Sequence, residues 1–262
     1  MTSRERVLTA MRRQPPDRVP RYLSFVAEKE REVMQRLGLT DMLPFTRLDI
    51  WRVAVNPTRE RTDFSRYFGR ADVEWDAWGR GRVWDADRHY AEYLYPLEQA
   101  DTVAEIAAYP WPDEAAPYRF AGLAERVADA HARGYAAVGI LGDTIYEMAW
   151  QLRGVERLFE DMLTGDAMAD VLFDRITALR VVQAREFARA GVDILLTGDD
   201  IAMQHGLMMS RALLRAWFFP RLKQVFDAAR EVKPDILTWY HSDGKVDEII
   251  PEPLGGAHRH PA

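Results

Sequence analysis

The sequence predicts a parallel α/β protein of the (β/α)8, or TIM-barrel, type, incomplete, with about five barrel strands in view. Three observations lead there. From residue 119 onward a helix, a glycine, an apolar strand and an acidic turn succeed one another, and the unit then repeats. No G-x-G-x-x-G follows any strand and no P-loop is present, which removes the usual nucleotide-binding versions of an alternating fold. A length of 262 residues allows one large α/β domain or two small ones, and the repeated unit favours one.

The elements follow in order. Thr2 and Glu5 form a capping box, and Val7, Leu8 and Met11 give the inward stripe of a short helix that Pro15-Pro16 stops. Arg18 to Phe25 reads as the first strand, and Glu28 to Leu37 as a helix ended by Gly38. Leu48 to Val55 is the second strand. Residues 64–97 hold Trp75, Trp78, Trp84, Tyr90, Tyr93 and Tyr95 without helical period, so they read as a β-ribbon or elaborated loop inserted in the domain. Those rings either floor a pocket for a flat ligand or form the ribbon's own core. Thr102 and Glu105 cap a short helix ended by Tyr109-Pro110-Trp111-Pro112. Helices then span Arg119 to Arg133, Ile145 to Met162 with a break at Gly154, and Ala167 to Ala190. A further helix runs from Ser210 to Val232 with a kink at Pro220. Between them lie strands Tyr135 to Leu141, Val192 to Leu196 and Ile236 to His241, and a last helix surrounds Val246 to Ile250.

Hydrophobic residues make up 48% and charged residues 29%, the composition of a globular rather than a disordered chain. A net charge of −6 offers nucleic acid or a membrane surface no general attraction. Only Lys29, Lys223, Lys233 and Lys245 are lysines among 35 basic residues, so arginine carries the positive charge. There is no cysteine, which excludes disulfides and thiolate chemistry and fits a reducing compartment. With no apolar run of spanning length and no signal peptide, the expected location is cytoplasmic.

If the strands are parallel, Asp143, Asp199, Asp200, His241 and Asp243 all fall at or just beyond carboxyl ends and converge on one mouth. Carboxylates beside an imidazole suit general acid–base work or a hard or borderline cation. Each has a plainer reading. Asp243-Gly244 is turn chemistry, Asp199 and Asp200 can cap or solvate a loop, and His241 can simply bond a neighbouring backbone group.

Several stretches resemble the uroporphyrinogen decarboxylase (URO-D) superfamily, from the N-terminus to about residue 252. They are Thr2-Ser3-Arg4-Glu5-Arg6-Val7-Leu8 with Pro16-Asp17-Arg18-Val19-Pro20, and Ala108-Tyr109-Pro110-Trp111-Pro112-Asp113. Gly191-Val192-Asp193 with Gly198-Asp199-Asp200, and Tyr240-His241-Ser242-Asp243-Gly244, complete the set. The resemblance implies a barrel with its ligand site at the carboxyl-terminal mouth. It also implies one of two activities: cofactor-free decarboxylation of uroporphyrinogen, a lyase reaction of porphyrin synthesis, or methyl transfer from a corrinoid protein.

The decarboxylases' Arg-Gln-Ala-Gly-Arg motif is absent, and Arg21-Tyr22-Leu23-Ser24-Phe25 stands in its place. Asp49 matches their second-strand aspartate, which would bind pyrrole nitrogens, and Trp150 stands where they have a pocket tyrosine. The methyltransferases typically carry His-x-Cys-Gly and a later cysteine that hold zinc. Here the segment is His241-Ser242-Asp243-Gly244, so His241 and Asp243 are the expected metal ligands, with an oxygen in place of sulfur. Asp49, Asp199, Asp200 and His241 are the catalytic candidates, and Asp143, Trp150 and Tyr240 the substrate-facing ones. The implied partners are a tetrapyrrole or a small methyl acceptor, and a corrinoid protein. A silent domain is the third reading.

Residues 253–262, rich in glycine, proline and histidine, read as a disordered tail after a barrel domain over 1–252. The resemblance predicts a further helix and roughly three more strands beyond, so the chain is expected to be an open barrel that is marginal, aggregation-prone, or completed by self-association as a homodimer.

Overall fold

A computed structural model describes residues 1–40, 42, 46–59, 62–88 and 90–250. Its centre is a parallel sheet of β1 (Ile50–Val53), β5 (Ala136–Asp143), β6 (Ile194–Gly198) and β9 (Leu237–His241), in that spatial order. Each new strand lies beside the last, with no reversal of order, which separates this winding from a doubly wound sheet. Side chains alternate accordingly. Ala137, Leu141 and Leu195 join the helices in the larger core, while Ile50, Ala136, Val138 and Ile194 pack together on the other face. The second face is the inner wall of a barrel, and among the described residues that barrel is not closed.

The crossover helices cover the outer face: α4 (Leu123–Ala132), α5 (Tyr146–Arg153), α6 (Val155–Thr164) and the long α7 (Ala167–Ala190). The last crossover is made of α8 (Arg211–Leu213), a π-helical turn (Leu214–Phe218) and α9 (Phe219–Val232). The kink expected at Pro220 takes the form of this π turn, whose wider winding accommodates a residue with no N–H. The predicted helix Arg119 to Arg133 is a 3₁₀ turn (Pro117–Phe120) followed by α4, and the helix expected around Val246 is a 3₁₀ turn (Asp247–Ile249).

Two capping boxes form as the sequence predicts. Thr2 and Glu5 cap α1 (Ser3–Met11), and Thr102 and Glu105 cap α3 (Val103–Ala107). Helix α2 (Ala27–Leu37) ends at Gly38. The aromatic insertion is an antiparallel ribbon of β2 (Glu74–Trp75), β3 (Gly81–Trp84) and β4 (Ala91–Leu94). Phe64 and Trp78 are buried in the main core, and Tyr90 and Tyr93 are exposed. A hairpin of β7 (Ala202–Met203) and β8 (Gly206–Leu207) follows β6.

Arg18 to Phe25 is not a strand, so among the described residues the parallel strands number four rather than five. The Arg21 N–H donates to the Asp49 carboxylate at 2.7 Å, and the Arg21 carbonyl accepts the Asp49 N–H at 3.0 Å; with a side chain taking the N–H, no ladder propagates among the described residues. The tail and the residues expected to be disordered lie outside the described residues.

Helix α1 closes the amino-terminal end of the sheet. Its Arg6 reaches Asp49 at 2.7 Å, its Ser3 hydroxyl donates to Asp49 at 2.8 Å, and its Arg4 forks onto Asp193. Val7 and Met11 of the same helix lie against the inner-wall cluster. The opening segment that carries the sequence resemblance is thus a structural plug.

Candidate active site at the strand carboxyl ends

Three side chains meet where β6 and β9 end. One ligand atom each from Asp200, His241 and Asp243 lies within 4.8 Å of the others. His241 Nε2 stands 3.6 Å from Asp243 Oδ1, and the Asp243 N–H donates to Asp200 Oδ1 at 2.7 Å. Alternation along β9 places His241 on the same face as Leu237 and Trp239, the inner wall.

Glycines allow the two loops to close on each other. A Cβ at Gly198 would come within 3.0 Å of the His241 carbonyl oxygen, and one at Gly244, whose φ is +84°, would run into the Ala202 carbonyl. The contact is laced by Asp199 N–H to the His241 carbonyl at 3.2 Å, Ile201 N–H to Ser242 Oγ at 3.1 Å, and Lys245 N–H to the Met203 carbonyl at 2.9 Å. His241 and Asp243 side chains remain 59% and 79% exposed, so they are free to adjust around a ligand.

Asp199 does not join them. It is wholly buried, and its Oδ1 accepts the Ile145 and Glu147 N–H groups at 2.9 Å each, capping α5 from a neighbouring strand. Burial pushes its carboxyl well above the usual range, although those two N–H bonds pull the other way. Its Oδ2 and the Tyr146 hydroxyl are buried without a hydrogen-bond partner. Tyr240 faces the helix layer, with its ring 6.2 Å from that of Phe218 and its hydroxyl donating to the Asp199 carbonyl. Trp150, on α5, meets the ribbon residues Tyr93 and Tyr95 edge-on.

Asp143 ends β5 beside a register shift against β6. It is held by Arg80 at 2.5 Å. Arg80 is aimed there by a turn in which the Asp76 carboxylate accepts the Trp78 and Arg80 N–H groups. Asp49 lies at the other end of the sheet, preceding β1. It is fully buried and bound by Ser3, Arg6, Arg18 and the Arg21 N–H, so it cannot reach the mouth.

Sequence reasoning missed Glu147, in the first turn of α5. Burial, and then the charges of Asp143 and Asp200, push its carboxyl up to about 7. A carboxyl group poised there can accept or give a proton near neutrality. Its one signal in the sequence is a position four residues after Asp143, which reads equally as an acidic first helical turn.

The uroporphyrinogen decarboxylase (URO-D) family model matches residues 2–255. The chain belongs to that family. Its fold is accordingly of the TIM-barrel type, as the sequence predicts. Eleven solved chains match this URO-D family member. Among them is a methyltransferase from Methanosarcina mazei, 18% identical, with a TM-score of 0.60 over 95% of this chain and 72% of that one. At that identity the likeness shows the fold alone. No curated protein sequence matches the chain. Among the described residues, no helix of this URO-D family protein is long and apolar enough to cross a membrane.

Proposed function

We propose that this protein transfers a methyl group from a corrinoid-linked donor to a small acceptor, with a metal ion held by Asp200, His241 and Asp243. The convergence of one imidazole and two carboxylates at the strand carboxyl ends carries the reading. The donor set suits zinc or another borderline cation, with three protein ligands and an open position. Bonds of roughly 2.0–2.2 Å require the three groups to draw together, which the exposure of His241 and Asp243 permits. A bound ion would act as a Lewis acid toward the acceptor. Asp200 orients the Asp243 backbone, Gly198 admits His241, and Asp199 fixes the α5 turn that presents Glu147. A methyltransferase from Methanosarcina mazei uses the same fold, so the fold is compatible with this reading.

Cofactor-free decarboxylation asks Asp49 to anchor the substrate, and that carboxylate is bound into the plug at the far end of the sheet. A direct test follows the absorbance of methylcobalamin with zinc-loaded protein and a small thiol acceptor. Demethylation that falls about 100-fold in His241→Ala supports the proposal. Consumption of uroporphyrinogen without metal, and none of methylcobalamin, overturns it.

A further inference from the structure

A second feature of the same mouth lies between the carboxyl ends of β1 and β5 and the ribbon. A cavity of about 440 Å³ is lined there by four arginines, Arg52, Arg80, Arg119 and Arg180, together with Trp78 and Gln183. Only two acidic residues line it, Glu114 and Asp143. Both are already engaged, Glu114 by Arg119 at 2.5 Å and Asp143 by Arg80 at 2.5 Å.

Among the described residues the other two guanidinium groups have no carboxylate within ion-pair distance. Arg180, buried along its whole side chain, gives its hydrogen bonds to neutral oxygens: the Thr144 carbonyl at 3.0 Å, the Asp143 carbonyl at 2.6 Å and Gln183 Oε1 at 2.9 Å. It lies over the Trp78 ring at 5.0 Å. Arg52 has no ion pair among the described residues and stands exposed at the cavity's edge. Arg119 has a buried Nε–H with no acceptor. A buried cation and an orphan donor both cost free energy unless something pairs with them. Four guanidinium groups line the cavity against two carboxylates, and Glu114, Asp199 and Asp143 lie close enough to Arg180 to offset only part of its charge. In a chain of net charge −6 that local excess of cationic donors is one that an anion would satisfy.

We infer that this cavity is a subsite for the carboxylate of a small organic acid, received by Arg52, Arg180 and the free Nε–H of Arg119. Planar guanidinium forks match a carboxylate. Val53 and Leu141 also line the cavity and offer its apolar part a wall beside Trp78. The volume sits low in the usual range of roughly 300–1,000 Å³ for small-molecule sites, so it fits a small acid rather than a whole macrocycle. In the methyl-transfer reading this subsite names the acceptor's charged handle. The binding test below uses neither metal nor corrinoid, so its failure leaves that reading standing.

The experiment is saturation-transfer NMR on the full chain with benzoate, benzamide and inorganic phosphate. Benzoate is expected to bind with a Kd below about 1 mM, and Arg52→Gln to weaken it about tenfold. Benzamide, of the same shape without the charge, is expected to show no saturation, and phosphate to displace benzoate only at a large excess. Arg52 is exposed, so the variant should melt with the wild type. Equal binding of benzamide and benzoate overturns the inference, as does unchanged affinity in a folded Arg52→Gln. Tighter binding of phosphate than of benzoate overturns the carboxylate assignment in favour of a phosphate site.

Discussion

Arg153→Ala lowers the unfolding free energy by about 3–5 kcal/mol, the usual cost of removing one partner from a buried ion pair. Arg153 has no solvent exposure and sits at the end of α5. Its Nε donates to Asp161 at 2.8 Å, and one terminal nitrogen donates to the Leu97 and Ala100 carbonyls at 2.6 Å each. It thereby ties the segment after the ribbon to the α5–α6 corner. Alanine leaves the buried Asp161 carboxylate and the Ala100 carbonyl without these donors, while the Leu97 carbonyl keeps the Ala100 N–H at 3.2 Å, and it opens a cavity the size of the side chain. Urea unfolding followed by circular dichroism measures it. A loss under about 1 kcal/mol means that water enters and satisfies these groups.

Glu147→Gln raises the stability of the metal-free protein at alkaline pH and leaves it unchanged in acid. The folded carboxyl titrates at about 7, above its ordinary value of 4.5. Between those values the folded chain holds a proton that the unfolded chain has released, so stability falls as pH rises through that window. Glutamine keeps the shape and removes the titration. Allowing for solvent screening of a partly exposed group, the gain above about pH 7.5 is about 2 kcal/mol. Thermal melts across that range with a chelator present test it, and parallel curves for the two proteins contradict it.

Local chemistry was legible wherever the chain carries its own instructions. The Thr2–Glu5 and Thr102–Glu105 boxes formed, and Gly38 and Gly191 ended their helices. The strand ends at Asp143, Gly198 and His241 fell where apolar runs meet polar turns. Arg18 to Phe25 failed as a strand because a side chain 28 residues away takes its Arg21 N–H, a pairing that no local pattern announces. The mouth was legible as a set of carboxylates, but not the division of labour within it. Asp199 and Asp200 are neighbours in sequence, yet one is turned inward to cap α5 and the other joins His241. Arg80 reaches Asp143 across 63 residues, and Arg180 reaches Gln183 and two carbonyls beneath the cavity. Arginines spaced so widely look like ordinary surface charge until the fold gathers them.

The metal reading depends on three groups from two loops acting together. Isothermal titration calorimetry of the full chain with zinc measures this most directly, using wild type, His241→Ala and Asp243→Ala. The structure predicts one zinc ion per chain bound at micromolar concentration or tighter, and a loss of about 100-fold or more in each variant. Wild-type protein that takes up no zinc at those concentrations, or binds it equally well without the His241 imidazole, contradicts the account.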